Sequence, residues 1–210
     1  MNILLIDDHA LFAKSLEIAF EDYNEIEDFY SLQDITQVIS TLQKKRPDII
    51  LIDINLSNIS NEDGLILAKD ILANYPDNKI VMLTGYDLPV YRYEAKKIGA
   101  KGFINKNIMP DSLLKILIDI NNGKEYFSEN VEHIEELTAK EKEILQLLSY
   151  PYKRSDISNM LHISERTVSN HIQHIFDKLE VSSSLESVVK GIEIGYIQPN
   201  YKNSEDKEIG

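Results

Sequence analysis

The chain has no cysteine among its 210 residues, and this absence excludes a disulfide framework, a thiolate nucleophile and a cysteine-ligated metal site. Its five histidines show no ligand spacing such as HExxH. Long apolar runs are also lacking, since none approaches the roughly 18 residues that cross a bilayer. The first run, residues 3–6, is too short for the core of a signal peptide. We therefore expect a soluble protein of the cytoplasm that has no membrane partner.

Basic residues are scarce, with 22 Lys and Arg against 35 Asp and Glu and a net charge of -13. Residues 1–137 carry 13 basic against 24 acidic residues, whereas residues 138–210 carry 9 against 11. The overall acidity argues against indiscriminate binding to nucleic acid, but the nearly neutral second part can still hold a local basic face.

Residues 1–125 alternate between short apolar runs and helical patterns. The runs predict strands at 2–6, 25–30, 49–53, 79–83 and 102–105, and the periodicity predicts helices near 10–23, 33–45, 64–74, 88–98 and 111–122. Five strand–helix units imply an α/β domain with a parallel sheet covered on both faces. The near-continuous apolar run PDIILIDI suits a strand that is buried on both sides.

A second domain, built only of helices, is predicted over residues 138–199. Residues 126–137 are polar and acidic and read as a linker, and residues 200–210 read as a polar tail. Thr138 and Glu141 have the spacing of a capping box, and Ser164 is placed to cap a longer helix.

Polar side chains follow four of the five predicted strands. Asp7 and Asp8 end the first strand, Asp53 the third and Thr84 the fourth, and Lys106 follows the fifth. In an open parallel sheet these strand ends meet at one edge. A single aspartate at a strand end is usually a turn residue, but this set of residue types predicts a site.

Three converging carboxylates resist ionisation unless a cation lies among them, and Mg²⁺ is the hard ion that such oxygens prefer. A carboxylate in this setting can attack a phosphoryl group. Asp53 is then the predicted nucleophile, Asp8 binds the metal directly and Asp7 binds it through water. Three further groups complete the predicted site: the Asn55 carbonyl as a metal ligand, Lys106 as a cation on the phosphate and the Thr84 hydroxyl as a donor.

Four stretches of this part, LLIDDH, IILIDINL, VMLTGYD and GAKGFINK, resemble the receiver domain of bacterial two-component response regulators. The resemblance covers residues 1–125 and implies a doubly wound, flavodoxin-like fold with five parallel strands. It implies phosphorylation of Asp53 by a sensor histidine kinase, with Mg²⁺ as cofactor. It also implies that Phe103 is a switch aromatic that moves inward with Thr84, although ordinary core packing explains an aromatic there equally well.

Some positions depart from the receiver pattern. Ser57 stands where the family commonly has proline, and Gly64 follows about three residues late, so the loop after Asp53 is longer and more polar. Gly85 replaces a usual alanine, and Asn107 replaces a frequent turn residue. None of these changes removes a group that the chemistry needs.

The stretch SDISNMLHISERTVSNHIQHIFDKL has the layout of a helix, a short turn and a longer helix with polar first turns. Such a helix can enter a DNA major groove. By periodicity alone, a small bundle that contacts proteins would look the same.

The stretches LTAKEKEILQLL, ISERTVSNHIQHIFDKLEV and SSSLESV resemble the LuxR-type helix-turn-helix domain, so nearly the whole chain resembles the NarL/FixJ class of response regulators. The resemblance makes the helix from Ser164 to Leu179 the recognition helix and places Ser182 or Ser183 at the DNA backbone. The remaining DNA contacts that we predict are Lys153, Arg154, Arg166, Thr167, Ser169, Asn170, His171 and Lys178.

Ser169, Glu180 and Ser184 replace residues that are usual in this family, among them basic ones. Each lost basic contact removes about one phosphate from the electrostatic part of DNA binding, so the affinity should be modest. His171 and His174 have a spacing that can suit a metal. We expect no third ligand near them, and therefore contact with the groove and solvent.

The leading interpretation is a transcriptional regulator in which phosphorylated Asp53 controls a homodimer that binds inverted DNA half-sites. The last helix, around residues 185–194, should provide dimer contacts. The chain is not expected to be an enzyme, beyond catalysing its own phosphorylation and dephosphorylation. A haloacid-dehalogenase phosphatase needs an acid two residues after its nucleophile, where this chain has Asn55. A helical module that binds protein instead of DNA remains an alternative.

Overall fold

The computed structural model of the chain describes residues 1–56, 64–85, 87–127 and 135–197. Two compact units are present, one containing five strands and the other containing the last four helices. None of the helices within these ranges is both long enough and apolar enough to pass through a membrane.

The first unit alternates strands and helices, as the sequence predicts. The strands are β1 (Asn2–Ile6), β2 (Asp28–Leu32), β3 (Ile49–Asp53), β4 (Lys79–Thr84) and β5 (Gly102–Asn105). The helices are α1 (Ala10–Phe20), α2 (Val38–Lys45), α3 (Gly64–Asn74), α4 (Pro89–Ile98) and α5 (Pro110–Asn121). All strand pairs are parallel, in the order β2-β1-β3-β4-β5.

The central strands are buried because both faces of the sheet are covered. Alternate residues of β1, β3 and β4, among them Ile3, Leu51 and Val81, pack with the apolar faces of α1 and α5. Every residue of β3 is buried, which confirms the interpretation of PDIILIDI. The fold class predicted from the sequence, a doubly wound five-stranded parallel sheet followed by an all-α domain, is confirmed.

Three predicted boundaries in the first unit are wrong by a few residues. β2 occupies Asp28–Leu32 and not residues 25–30, because the chain first turns through Tyr23 and Ile26. The same turn ends α1 at Phe20. The helix predicted at 33–45 begins instead with a 3-10 turn, Ile35–Gln37, that is capped by Asp34.

Tyr126, the first residue of the predicted linker, pairs with the first unit. Its backbone N–H donates to the Lys101 carbonyl at 2.9 Å, and its carbonyl accepts from the Phe103 N–H at 2.9 Å. Residues 128–134 of the predicted linker, the predicted tail from residue 200 and the loop containing Ser57 lie outside the described residues.

The second unit contains α6 (Ala139–Leu148), α7 (Arg154–Leu161), α8 (Glu165–Leu179) and α9 (Ser184–Ile194). The capping box predicted for Thr138 and Glu141 is present, and Ser164 caps α8 by accepting from the Thr167 N–H at 3.1 Å. The core is formed by apolar residues from α6, α7 and α8, including Ile144, Ile157 and Val168.

Candidate functional site

The carboxyl edge of the sheet gathers the polar residues that the strand-end pattern predicts. Asp53 and Thr84 are the last residues of β3 and β4, and Asp7 and Lys106 directly follow β1 and β5. Asp7, Asp53 and Thr84 are buried, with 1%, 2% and 3% of their surfaces exposed. The register places Asp53 beside Leu83, one residue before Thr84. The predicted convergence at this edge is therefore present in the structure.

Lys106 connects two of these carboxylates. Its Nζ lies 2.7 Å from Asp7 Oδ2 and 2.7 Å from Asp53 Oδ2. The ammonium group also lies over the ring of Phe12 in α1, 4.9 Å from the ring centroid. We call Asp7, Asp53 and Lys106 the Asp53 centre. In this centre one lysine forms ion pairs with two buried carboxylates.

The pKa of Asp53 lies above its ordinary value. Burial is the largest cause, because a carboxylate away from water loses its hydration. The hydrogen bond and charge of Lys106 act in the opposite direction, and the nearby charge of Asp7 raises the pKa further. The Asn55 backbone also hydrogen-bonds to the carboxylate. An additional cation would therefore be favoured at this centre.

His9 lies in the same cluster, although the sequence pattern did not predict it as a site residue. Its Nδ1 lies 2.6 Å from Asp8 Oδ1 and 3.2 Å from Asp7 Oδ1. Asp7, Asp8, His9 and Asp53 each present a ligand atom, and these atoms lie within 4.8 Å of one another. The set is dominated by carboxylate oxygens, so it fits a hard ion such as Mg²⁺. Its position directly after Asp7 and Asp8 is the feature of the sequence that could have indicated a place in this cluster.

Gly64 fixes the geometry behind Asp53. Its N–H donates to the Ile54 carbonyl at 2.8 Å. A Cβ atom at this position would overlap the backbone carbonyl oxygen of Asp53 and would lie 2.8 Å from its carbonyl carbon. The first residue of α3 must therefore be glycine if the end of β3 is to keep its position.

Phe103 is buried in β5, with 5% of its surface exposed. It lines an open cavity together with Asp87, Arg92 and Tyr126. The packing role considered for this aromatic is present, and its role as a switch stays a prediction.

The predicted DNA contacts of the second unit differ in exposure. Arg166 and Asn170 on α8 are exposed, as are Lys153 and Arg154 at the start of α7. Thr167, Ser169 and His171 are half-buried. The Thr167 hydroxyl lies 2.8 Å from the Ser164 hydroxyl, and the Ser169 hydroxyl donates to the Glu165 carbonyl at 3.0 Å.

Lys178, which is partly buried, forms an ion pair with the buried Glu141. Its Nζ donates to Glu141 Oε2 at 2.8 Å and to the Glu136 carbonyl at 3.0 Å. The same Glu141 oxygen accepts from the Thr138 N–H at 2.7 Å. Burial raises the pKa of Glu141, but the bonds from Lys178 and Thr138 outweigh it and hold the pKa below its ordinary value. We call Thr138, Glu141 and Lys178 the Glu141 centre.

The expectation that no third ligand lies near His171 and His174 is wrong. The ligand atoms of His171, His174 and Glu141 lie within 4.8 Å of one another. Glu141 stands 30 positions before His171 and comes from α6, so only the packing of α6 against α8 brings the carboxylate to the histidines.

Two protein families match successive segments of this chain. Residues 3–118 match the response regulator receiver domain, and residues 135–190 match the family described as bacterial regulatory proteins, luxR family. The first match covers more than half of the chain.

Known proteins similar to this chain match it over nearly the full length of both sequences. The transcriptional regulatory protein DegU of Brevibacillus brevis is 28% identical, over 94% of this chain and 95% of that protein. The oxygen regulatory protein NreC of Staphylococcus carnosus is 28% identical, over 90% of this chain and 95% of that protein. The solved structure of the RcsB response regulator of Salmonella typhimurium has the same fold, with a TM-score of 0.67 at 23% identity over 90% of this chain and 98% of that one.

Proposed function

The chain is a response regulator, since it belongs to the receiver-domain family and carries a LuxR-type helix-turn-helix domain, and from that premise we propose that phosphorylation of Asp53 by a sensor histidine kinase controls its binding to DNA. The observation that carries the proposal is the Lys106 ammonium, 2.7 Å from both Asp7 and Asp53 at the buried edge of the sheet. This arrangement supplies a nucleophile and a fixed cation at one point.

In the proposed reaction, a carboxylate oxygen of Asp53 forms a bond to phosphorus while the bond from phosphorus to a histidine nitrogen of the kinase breaks. The electron pair of that bond stays with the imidazole. Lys106 then pairs with a phosphoryl oxygen, and the Thr84 hydroxyl donates a hydrogen bond to another. The same groups would let the receiver catalyse its own phosphorylation from a small phosphodonor and its own dephosphorylation.

Asp8, Asp53 and the Asn55 carbonyl would hold Mg²⁺, with Asp7 binding it through water. When bound, the ion would neutralise charge on the phosphoryl oxygens. The raised pKa of Asp53 supports this assignment, because a nearby cation would favour the ionised and nucleophilic form of the carboxylate.

The output is proposed to be transcription control in the cytoplasm. On modification of Asp53, Thr84 moves toward the phosphate and Phe103 turns inward in β5. The α8 helix enters the major groove, with Arg166, Thr167, Ser169 and Asn170 toward the bases. We leave His171 out of this surface because its Nδ1 is buried and its ring lies beside Glu141 of α6. Lys153 and Arg154, exposed at the start of α7, support contact with phosphates. We leave Lys178 out of this surface because Glu141 engages its ammonium group.

A homodimer on inverted half-sites is the proposed DNA-bound form. Leu185, Val189 and Ile192 follow helical spacing on α9 and are 75%, 48% and 41% exposed. Such a stripe supports a two-fold contact between copies of this helix.

The test measures phosphorylation of the chain first and its binding to DNA second. The full chain is incubated with acetyl phosphate and Mg²⁺, and the intact mass is measured for the wild type, for Asp53→Asn and for the control Asp77→Asn, which changes an exposed turn residue. We expect one added phosphoryl group on the wild type and the control, and none on Asp53→Asn.

Selection of bound genomic fragments then compares the same three proteins. Enrichment of defined sites by the phosphorylated wild type and the control, but not by Asp53→Asn, supports the proposal. Equal phosphorylation of Asp53→Asn would overturn the assignment of the nucleophile. Phosphorylation without selection of any DNA would favour the protein-binding alternative.

A further inference from the structure

A buried nitrogen in the second unit has no hydrogen-bond partner that the described part of the chain supplies. It is Nδ1 of His171, on α8, which is closed off from solvent. The His174 ring lies one turn further along the helix, with the two ring centroids 6.5 Å apart and the ring planes nearly perpendicular. A buried polar atom without a partner costs free energy, so a group that bonds to this nitrogen would be stabilising.

Glu141 brings a carboxylate to the two rings. Its Oε1 lies 3.8 Å from His174 Nδ1, and its side chain is 4% exposed. The other oxygen, Oε2, accepts from Thr138 and Lys178. Those two donors orient the carboxylate and leave Oε1 directed to the histidines, which is how outer partners position a metal ligand.

We propose that Glu141, His171 and His174 bind a Zn²⁺ ion that connects α8 to α6. Two imidazole nitrogens and one carboxylate oxygen are a ligand set of the borderline transition metals, whereas Mg²⁺ and Ca²⁺ prefer oxygen alone. Water would complete the tetrahedron. This site is separate from the proposed phosphorylation chemistry and goes beyond it.

The distances require only a local adjustment. The three ligand atoms lie within 4.8 Å of one another, and around tetrahedral Zn²⁺ they would approach to about 3.4 Å, given metal–ligand bonds of about 2.1 Å. The His174 side chain is 62% exposed, so it can rotate toward the other two ligands without disturbing the core. Lys178 lowers the affinity by repulsion, but its bond to Oε2 does not occupy Oε1.

The experiment measures Zn²⁺ binding to the full chain by competition with a chromogenic chelator. All proteins carry His9→Gln and are kept in saturating Mg²⁺, so that the cluster around Asp8 does not contribute. His174→Gln is compared with the control His162→Asn, which removes an exposed histidine of the same unit outside the cluster. Both changes lie at exposed positions, and far-UV circular dichroism confirms folding.

We expect the His9→Gln parent and the His162→Asn control to bind one Zn²⁺ ion with equal affinity. His174→Gln should weaken binding by at least the ~10- to 100-fold that loss of an outer partner costs. Substitution with Co²⁺ should give the visible absorption of a tetrahedral site in the parent and not in His174→Gln. Equal Zn²⁺ affinity of His174→Gln and the control, or no binding by any of the proteins, would overturn the proposal. Neither result bears on Asp53, whose phosphorylation is measured without Zn²⁺.

Discussion

Each of the two units pairs a partly buried lysine with a buried carboxylate, yet the pKa of that carboxylate shifts in opposite directions in the two centres. At the Asp53 centre, Lys106 is shared by two carboxylates, and the pKa of Asp53 is raised. At the Glu141 centre, one carboxylate accepts hydrogen bonds from the Lys178 ammonium and the Thr138 N–H, and the pKa of Glu141 is lowered.

The two centres differ in how many hydrogen-bond donors each carboxylate receives. Burial opposes ionisation at both sites, and hydrogen bonds outweigh it only at Glu141. The Asp53 centre has more negative than positive charge and suits an added cation and a phosphoryl group. At Glu141, Oε2 already accepts from Lys178 and Thr138, and the carboxylate suits the stabilisation of a helix start.

Removal of the lysine from the Glu141 centre should have the largest effect. Lys178→Met keeps much of the aliphatic stem but leaves Glu141 buried without its cation. We expect the second unit to lose about 3–5 kcal/mol of stability, the usual cost of breaking a buried pair. Hydrogen exchange of amides in α6 and α8 measures that loss in the full chain.

The matched control is Lys140→Met on the exposed face of α6. Lys140 pairs with Glu143 at 2.6 Å, but both side chains are more than 40% exposed. Its loss should change the stability by less than about 0.5 kcal/mol. Similar losses for the two variants would show that Glu141 and Lys178 are no more than a surface pair.

Displacement of the strand end that carries Asp53 should have the next largest effect. Gly64→Ala places a Cβ against the Asp53 carbonyl, so the end of β3 or the start of α3 must move. We expect a loss of about 3 kcal/mol, at the upper end for overpacking, together with slower phosphorylation by acetyl phosphate. Hydrogen exchange of β3 amides and intact mass report the two effects.

Gly85→Ala is the control for this change, because a Cβ at Gly85 has nothing within 4 Å. It should leave both measurements near those of the wild type. If Gly64→Ala behaves in the same way, the close approach of α3 to β3 does not hold Asp53 in place.

Neutralising each carboxylate should give smaller effects of opposite sign. Glu141→Gln should destabilise the second unit by about 2 kcal/mol, because bonds to a charged acceptor are lost. Asp53→Asn should stabilise the first unit slightly, because burial disfavours the charged carboxylate and raises its pKa. Hydrogen exchange of each unit from pH 4 to pH 8 checks both signs.

The pH dependence follows from the directions of the two pKa shifts. The folded state favours the protonated form of Asp53, so the wild type should lose stability relative to Asp53→Asn as pH rises through the raised pKa. The folded state favours ionised Glu141, so the advantage of the wild type over Glu141→Gln should be lost as pH falls through the lowered pKa. Equal signs for the two variants would contradict the contrast between the centres.

Local patterns in the sequence predicted the sheet and the residues at its carboxyl edge. Asp53 and Lys106 could be placed because parallel strands bring their ends together wherever the loops run. The boundaries of β2 were wrong, since its edge position leaves it half-exposed and its apolar signal is weak.

Contacts that depend on tertiary packing could not be predicted. Glu141 and Lys178 are 37 positions apart, and each also fits an ordinary local role, as a cap residue and as a solvated lysine. The approach of Gly64 to the Asp53 backbone likewise depends on how α3 docks against β3.

The pairing of Tyr126 with β5 also has a mechanical consequence. The Tyr126 carbonyl accepts a hydrogen bond from the backbone N–H of Phe103, three residues before Lys106. A rearrangement of β5 would therefore also displace the backbone of Tyr126, which follows the last helix of this unit.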